Sequence, residues 1–150
     1  MKKGVESIRM TPKEYLQQLQ RADVIIQQRI QEKEELRAAL TGISSPDFTK
    51  ERVQGGNALS DGGVSKKVIK LIGFEMEIDK LIDDYSILKH RIIGQIHNLN
   101  NADQIKVLYK RYVLFEKFEQ IAIDLGYSIR NVYTIHGHAL LEFKKIIGDE

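Results

Sequence analysis

Residues 118–145 read FEQIAIDLGYSIRNVYTIHGHALLEFKK, and this stretch decides the predicted fold. Its first part has apolar residues at the i, i+3, i+4, i+7 spacing of one helix face: Phe118, Ile121, Ala122 and Leu125. Gly126 can adopt the left-handed conformation that ends a helix. Ser128 is suited to cap the next helix, because its hydroxyl can accept a hydrogen bond from an unpaired backbone N–H. The stretch therefore predicts a short helix, a tight turn and a longer helix.

The second helix, predicted over residues 129–146, has an apolar side and a polar side. The residues predicted to be buried are Ile129, Val132, Tyr133, Ile135, Leu140 and Phe143. The residues predicted to face outward are Arg130, Asn131, Thr134 and His138. This is the layout of a helix-turn-helix, whose second helix enters the major groove of DNA. An ordinary pair of packed helices has the same spacing, so the spacing alone leaves both interpretations open.

The last third of the chain also resembles a known family. The segments that carry the resemblance are Leu108–Val113, Glu119–Ser128, Val132–Tyr133 and Ala139–Leu140. They are similar to region 4 of sigma-70-type factors, and within that group to the sigma-region-4-like regulators of phages and prophages of Gram-positive bacteria, such as the ArpU-type late transcription regulators. A looser likeness includes a coiled-coil front half and the segment Arg52–Gly55. The resemblance implies promoter DNA binding and contact with RNA polymerase in a bacterial cytoplasm.

The charge of the chain argues against a strongly basic DNA-binding surface. The formal net charge is +2, and residues 101–150 contain seven Lys or Arg and seven Asp or Glu. DNA-binding domains usually carry a basic patch. We expect His136 and His138 to gain charge near phosphate, and a single copy to bind DNA weakly and with strong salt dependence. Dimerisation or a protein partner is therefore expected.

Two long helices are predicted in the first hundred residues. Thr11, Pro12 and Glu14 form a strong start signal for a helix that runs to about Leu40. Ser65 is predicted to cap a second helix over residues 66–99. Its apolar heptad positions are Leu71, Phe74, Ile78, Leu81, Tyr85, Leu88, Ile92 and Leu99, with Gln95 the one polar member. Gln95 is expected either to set the register of the two long helices or to lie at a wet end of their contact. The two helices are expected to form an antiparallel hairpin, either within one chain or between two chains of a dimer.

The segment between the long helices is rich in glycine and serine, and it predicts an irregular loop over residues 41–65. After the second long helix, Asn101 is predicted to cap a supporting helix over residues 102–115. Lys110 and Arg111 lie on a more polar face of that helix. They are expected either to touch the DNA backbone or to be solvated.

Residue types that carry catalysis or bind metals do not form a convincing pattern. His136 and His138 are two residues apart, whereas helical metal ligands are usually at i and i+4. The chain has no cysteine, no nucleophile elbow and no dinucleotide-binding fingerprint. No enzyme activity, cofactor, metal site or transmembrane segment is therefore predicted.

The sequence predicts an all-α protein with a helical hairpin or coiled coil over residues 1–100 and a helix-turn-helix domain over residues 101–150. The predicted function is that of a sequence-specific, DNA-binding transcription regulator of phage type. The residues predicted to contact DNA are Ser128, Arg130, Asn131, Thr134, His138, Lys110 and Arg111. Two alternatives stay open: a non-catalytic interaction module that binds RNA polymerase, and a small terminase-like DNA-packaging protein. A homodimer is the expected oligomer.

Overall fold

The computed structural model describes residues 10–42 and 61–148, and the fold is all-α, as predicted. Within these residues the chain forms five α-helices and one π-helical turn. They are α1 (Pro12–Thr41), α2 (Asp61–His97), α3 (Ala102–Leu108), the π turn (Tyr109–Val113), α4 (Phe118–Leu125) and α5 (Ile129–Gly148). None of the described helices is long and apolar enough to cross a membrane.

The start of α2 differs from the prediction. The helix begins at Asp61 rather than after a cap at Ser65, and α1 extends to Thr41, so the prediction of an irregular loop is wrong for Thr41 and for residues 61–65. Glycine lowers the stability of a helix when it lies in the helix interior. Gly62 and Gly63 instead lie in the first turn of α2, where backbone amide groups have no intrahelical partner whatever the residue. Gly62 and Gly63 therefore do not prevent the helix from starting there. The rest of the predicted loop from residue 43 onward, including Arg52–Gly55, lies outside the described residues.

The described residues belong to two compact units, and one of them contains residues 24–42 and 61–84. Here Ile26 of α1 and Ile78 of α2 are buried, at 6% and 5% exposure. Arg29 of α1 lies three residues after Ile26, with its guanidinium 5.9 Å from the centre of the Phe74 ring and 3.2 Å from Glu77. A charged residue is accommodated at this position because an aromatic ring and a carboxylate of α2 both contact it.

The other unit contains residues 10–23 and 85–148 and holds most of the core. Its larger cluster of buried residues consists of Leu16, Leu19, Ile92, Ile96, Leu99, Leu108, Tyr112, Val113, Ala139 and Phe143. A smaller cluster consists of Val107, Ile121, Ala122 and Val132. The larger cluster joins α1, α2, α3, the π turn and α5, and the smaller one joins α3, α4 and α5. Helix α5 therefore contributes to both clusters.

Gln95 is the polar member of the predicted heptad series, and it lies inside this unit. It was expected either to set the register of the two long helices or to lie at a wet end of their contact. The second expectation is wrong, because Gln95 is only 4% exposed. The Tyr15 hydroxyl donates a hydrogen bond of 2.9 Å to Gln95 Oε1. This bond links α1 to α2 and satisfies a buried carbonyl oxygen, which would be costly to leave without a partner.

Two predicted helix caps are confirmed. The Thr11 hydroxyl accepts from the Glu14 N–H at 3.2 Å, and Glu14 Oε2 accepts from the Thr11 N–H at 2.8 Å. This reciprocal pair is a capping box, and it holds the pKa of Glu14 below its usual value. The side-chain oxygen of Asn101, Oδ1, accepts from the N–H groups of Asp103 and Gln104 at 2.9 and 3.1 Å.

The supporting helix departs from the prediction of one continuous helix over residues 102–115. The α-helix ends at Leu108 and continues as the π turn. A π turn holds one more residue than an α turn, and here Tyr112 and Val113 are both buried, at 5% and 3% exposure. Phe115 then adopts a left-handed conformation with φ of 58°, which ends the helical segment.

His136 packs between aromatic rings on the inner side of α5. Its Nε2 atom lies 2.8 Å from the Tyr112 hydroxyl in a hydrogen bond, and its ring meets that of Phe118 edge-on with the ring centres 4.9 Å apart. Burial, followed by the positive charges of Lys13 and Arg111, lowers the pKa of His136 to about 4. The expectation that His136 gains charge near phosphate is therefore wrong, because its ring faces the protein interior.

The bond between Tyr15 and Gln95 predicts a specific loss of stability. Replacing Tyr15→Phe removes only the hydroxyl, and we expect the free energy of unfolding to fall by about 1 kcal/mol in urea denaturation. The matched control is Tyr133→Phe, since Tyr133 is 50% exposed and its variant should unfold like the wild type. Equal stability of the Tyr15→Phe protein and the wild type would contradict this account of Gln95.

The lowered pKa of His136 predicts a pH dependence of stability. The unfolded chain binds a proton near pH 6.5 and the folded chain near pH 4, so protonation favours unfolding between these values. The free energy of unfolding should fall by about 1–2 kcal/mol as the pH falls from 6.5 to 4, after allowance for the partial exposure of the ring.

The His136→Gln variant should lose this part of the pH dependence, while His138→Gln, which changes an exposed residue of the same helix, should keep it. Urea denaturation at pH 7, 5.5 and 4.5 measures the effect. The same slope in the His136→Gln protein as in the wild type would show that another group causes it.

Candidate nucleic-acid interface

The turn between α4 and α5 forms as the sequence predicts. Gly126 has φ of 69°, in the left-handed region that glycine adopts without strain. The Tyr127 N–H donates to the Ala122 carbonyl at 3.0 Å, which closes the end of α4. The Ser128 hydroxyl accepts from the Asn131 N–H at 3.2 Å, so the predicted cap of α5 is confirmed.

Tyr127 fixes this turn to the start of α3. Its hydroxyl donates a hydrogen bond of 2.9 Å to Asp103 Oδ2. The bond and the negative charge of Asp103 raise the pKa of Tyr127, so the hydroxyl keeps its proton at neutral pH. The turn is therefore attached to α3 by a side chain, in addition to the apolar packing of Val107 against α4 and α5.

Helix α5 has one fully buried side. Val132, Ala139 and Phe143 are each 0% exposed. Of the residues predicted on this side, Val132 and Phe143 are confirmed, and Ile135 and Leu140 are half-buried. The prediction is wrong for Ile129 and Tyr133, which are 38% and 50% exposed. Ile129 is the first residue of the helix, and Tyr133 packs one side of its ring on Phe118, at 4.9 Å between ring centres.

The opposite side of α5 holds four of the residues predicted to contact DNA. Arg130, Asn131, Thr134 and His138 are all exposed. At 100° per residue they lie within about 100° of the helix circumference, so they form one continuous surface. The Thr134 hydroxyl donates to the Arg130 carbonyl at 3.1 Å, which leaves its lone pairs directed away from the backbone. Ser128 is exposed at the start of the same helix.

Lys110 is partly exposed and forms ion pairs within the chain, which neither expectation for it included. Its ammonium group lies 2.9 Å from Asp124 Oδ2 and 3.3 Å from Glu116 Oε1. The hydrogen bond to Asp124 raises the pKa of Lys110, and the same bond lowers the pKa of Asp124. Gln120 also donates to Asp124, at 2.7 Å. Lys110 therefore links the π turn to α4 through a small network of charges.

Arg111 is likewise held by the protein. Its guanidinium carbon lies 4.7 Å from the centre of the Phe118 ring, and Nη1 donates to the Glu116 carbonyl at 2.9 Å. These contacts fix the segment between the π turn and α4. The sequence could not reveal them, because they depend on the chain reversal at Phe115. Lys110 and Arg111 thus have structural partners within the chain, whereas the exposed residues of α5 form a separate group.

The two helices of this region differ in charge. Helix α4 contains two acidic residues, Glu119 and Asp124, and no Lys or Arg. Helix α5 contains three basic residues, Arg130, Lys144 and Lys145, and one acidic residue, Glu142. The formal charge is therefore −2 on α4 and +2 on α5. The neutral count for residues 101–150 hides this separation, which puts the positive charge on the helix predicted to bind DNA.

A groove of about 570 Å³ lies beside the exposed side of α5, and the sequence did not predict it. Its lining includes side chains that can donate or accept hydrogen bonds: Asn98, Asn100, Asn101, Gln104, His138 and Lys145. In the part of the lining formed by Asn98–Asn101, only the helix cap at Asn101 was predicted from the sequence. Within the described residues no three His, Cys, Asp or Glu side chains are grouped so that they could hold a metal ion.

No family model, curated protein or solved structure matches this chain. The resemblance to sigma region 4 therefore stays a prediction from the sequence. The geometry of α5 and its surroundings is the basis on which a function can be assigned.

Proposed function

We propose that this protein is a sequence-specific, DNA-binding transcription regulator of phage type, in which α4 and α5 act as a helix-turn-helix. The observation that carries the proposal is the exposed surface of α5, where Arg130, Asn131, Thr134 and His138 lie together. In a helix-turn-helix the second helix lies in the major groove, with its N-terminal residues at base edges. These residues occupy the first half of α5, which is the part that such a geometry uses.

The side chains on this surface match the edges of bases. An arginine can donate two hydrogen bonds to guanine, and an asparagine can pair with adenine. We assign base reading to Arg130, Asn131 and Thr134, and phosphate contacts to Ser128 and His138. The formal charge of +2 on α5 supports an anionic ligand. Lys110 and Arg111, which were predicted to contact phosphates, would instead stabilise the framework, because their charged groups are already bonded to α4 and the segment before it.

The rigidity of α5 also supports the proposal. A base-reading helix must be held in one orientation, because hydrogen bonds to base edges tolerate little displacement. Val132, Ala139 and Phe143 are fully buried over three turns of α5. The Ser128 cap and the bond from Tyr127 to Asp103 fix the start of the helix. The surface therefore needs little ordering when a ligand binds.

The neutral charge count favours a second candidate, an interaction module that binds another protein such as RNA polymerase. One observation supports it. A mostly apolar groove of about 440 Å³ is lined by Ile93, His97, Ile105, Lys106, Tyr109, Lys110 and Leu114. Leu114 in this groove is 49% exposed. Such a groove suits an apolar side chain of a protein better than DNA, so the two functions use different surfaces and can be tested separately.

A homodimer would strengthen DNA binding by a chain of low net charge. In the unit of residues 24–84, α2 exposes Ile69, Ile72 and Met76, at 66%, 51% and 69%. They are spaced by three and four residues, on the side of α2 opposite Ile78. An exposed apolar stripe of this spacing is typical of helix association. We propose that two copies of the chain associate through it.

Arg130 provides the direct test of base reading. A random-sequence duplex library is selected with the wild-type protein, and the affinity for the enriched duplexes is measured at two salt concentrations. We expect Arg130→Ala to lose about 1–3 kcal/mol of binding free energy and to relax the preference at one base pair. Arg91→Ala removes an exposed arginine of α2 and should bind like the wild type. An Arg130→Ala protein with unchanged affinity and base preference would exclude this role.

Light scattering of the pure protein tests the proposed dimer. Ile72→Glu places a charge in the stripe, and we expect the mass to fall from that of a dimer to that of a monomer, because a buried charge opposes association. Ile82→Glu is the control, since Ile82 is 42% exposed but lies off the stripe, and that variant should remain dimeric. A monomeric wild-type protein would contradict the proposal, and a ring-sized oligomer would favour the terminase-like alternative.

A further inference from the structure

Four exposed residues of α5 form a line along the helix: Arg130, Thr134, Gly137 and Leu141. Their spacing of four, three and four residues places each one almost directly above the previous one. At 1.5 Å per residue the line is about 16 Å long. Arg130 and Thr134, which are proposed to read bases, form the first half of this line. Gly137 and Leu141 form the second half and lie on the same face of the helix. Gly137 leaves a gap in the line between Thr134 and Leu141.

Nothing inside the described part of the protein explains a glycine at this position. A Cβ atom added to Gly137 would have no heavy atom of a neighbouring group within 4 Å. Gly137 lies in the interior of α5, and it is not among the glycines with positive φ. Alanine is a better helix former than glycine at such a site. The glycine therefore satisfies no packing or backbone requirement within the described residues, which is also true of Gly73 and Gly94 in α2. Gly137 differs from them in its place, because it lies in line with Arg130 and Thr134, where a missing side chain lets a ligand approach the backbone closely.

Leu141 supplies the second observation. Its side chain is 62% exposed, although it lies on the polar side of α5 between two turns that carry polar residues. It also lines the groove that contains Asn98 and His138. An apolar side chain on a DNA-reading surface can contact the C5 methyl group of thymine, which projects into the major groove. This contact would remove apolar surface of both partners from water.

We propose that Gly137 and Leu141 extend the base-contacting surface of α5 and help to determine its specificity. The absent side chain of Gly137 lets the DNA approach the helix backbone closely. Leu141 contacts a thymine methyl group about one helical turn further along. This inference rests on the proposed DNA-binding function and adds two residues that read the shape and the methyl group of the target rather than its hydrogen-bonding edges.

The Gly137→Ala variant separates stability from binding. We expect its melting temperature to rise by a few degrees, because the helix is strengthened. We expect its affinity for the duplex enriched by the wild-type protein to fall about tenfold, because the added methyl group holds the DNA away from the helix. The control is Gly94→Ala. Gly94 is also an exposed glycine inside a helix with no neighbour within 4 Å, and this variant should be more stable with unchanged DNA affinity.

The contact of Leu141 is tested by replacing thymines of the enriched duplex with uracil one at a time, which removes only the C5 methyl group. The wild-type protein should lose about fourfold in affinity at one position. Leu141→Ala should bind the thymine and uracil duplexes equally at that position.

The outcomes distinguish this inference from the function on which it rests. If the wild-type protein enriches no duplex from the library, both the function and the inference fail. If it enriches a duplex that Gly137→Ala binds as tightly as the wild type, the close approach at Gly137 is wrong while DNA binding stands. If no uracil substitution distinguishes the wild type from Leu141→Ala, the methyl contact is wrong.

Discussion

Burial of one side of α5 is the constraint on which the unit of residues 10–23 and 85–148 depends. Val132 is fully buried in the cluster with α3 and α4, while Ala139 and Phe143 are fully buried in the cluster with α1, α2 and the π turn. Complete burial of these three side chains fixes the rotation of α5 about its axis. That rotation in turn decides that Arg130, Thr134, Gly137 and Leu141 face outward. The exposed surface is thus a consequence of the core.

The basic side chains of the π turn hold α4 in place beside α5. Lys110 forms ion pairs with Glu116, before α4, and with Asp124, within α4. The Arg111 guanidinium packs over the ring of Phe118, the first residue of α4. Each contact spans the reversal of the chain at Phe115, so together they hold α4 against the π turn. The basic residues of the π turn are therefore used internally. Helix α5 carries a formal charge of +2, so residues 101–150, which have zero net charge as a whole, include one helix that is locally positive.

The features that were predicted from the sequence are local ones. The caps at Thr11, Asn101 and Ser128 and the left-handed turn at Gly126 depend on a few neighbouring residues. The features that were missed depend on contacts between distant parts of the chain. The π turn and the inward-facing ring of His136 arise from packing that no local pattern records. Packing also decides between the two places that the sequence left open for Gln95, which is buried.

At the candidate site, too, the local features were predicted and the contacts between distant residues were not. The outward direction of Arg130, Asn131, Thr134 and His138 followed from helical periodicity and is seen in the structure. The internal bonds of Lys110 and Arg111 did not follow from it, because a basic residue on a polar face has the same pattern whether or not a carboxylate folds back to meet it. Ala139 was also missed, since a small apolar residue gives little indication of burial.

The most direct test of the central claim is a titration of the isotope-labelled protein with a duplex selected from a random library, followed by amide chemical shifts in NMR spectra. If the exposed surface of α5 binds DNA, the largest shifts will occur from Ser128 to Leu141, and the amides around Leu114 will change little. Shifts centred on Leu114 and Ile105, or no shifts at any salt concentration, would contradict the claim and favour a protein ligand for this chain.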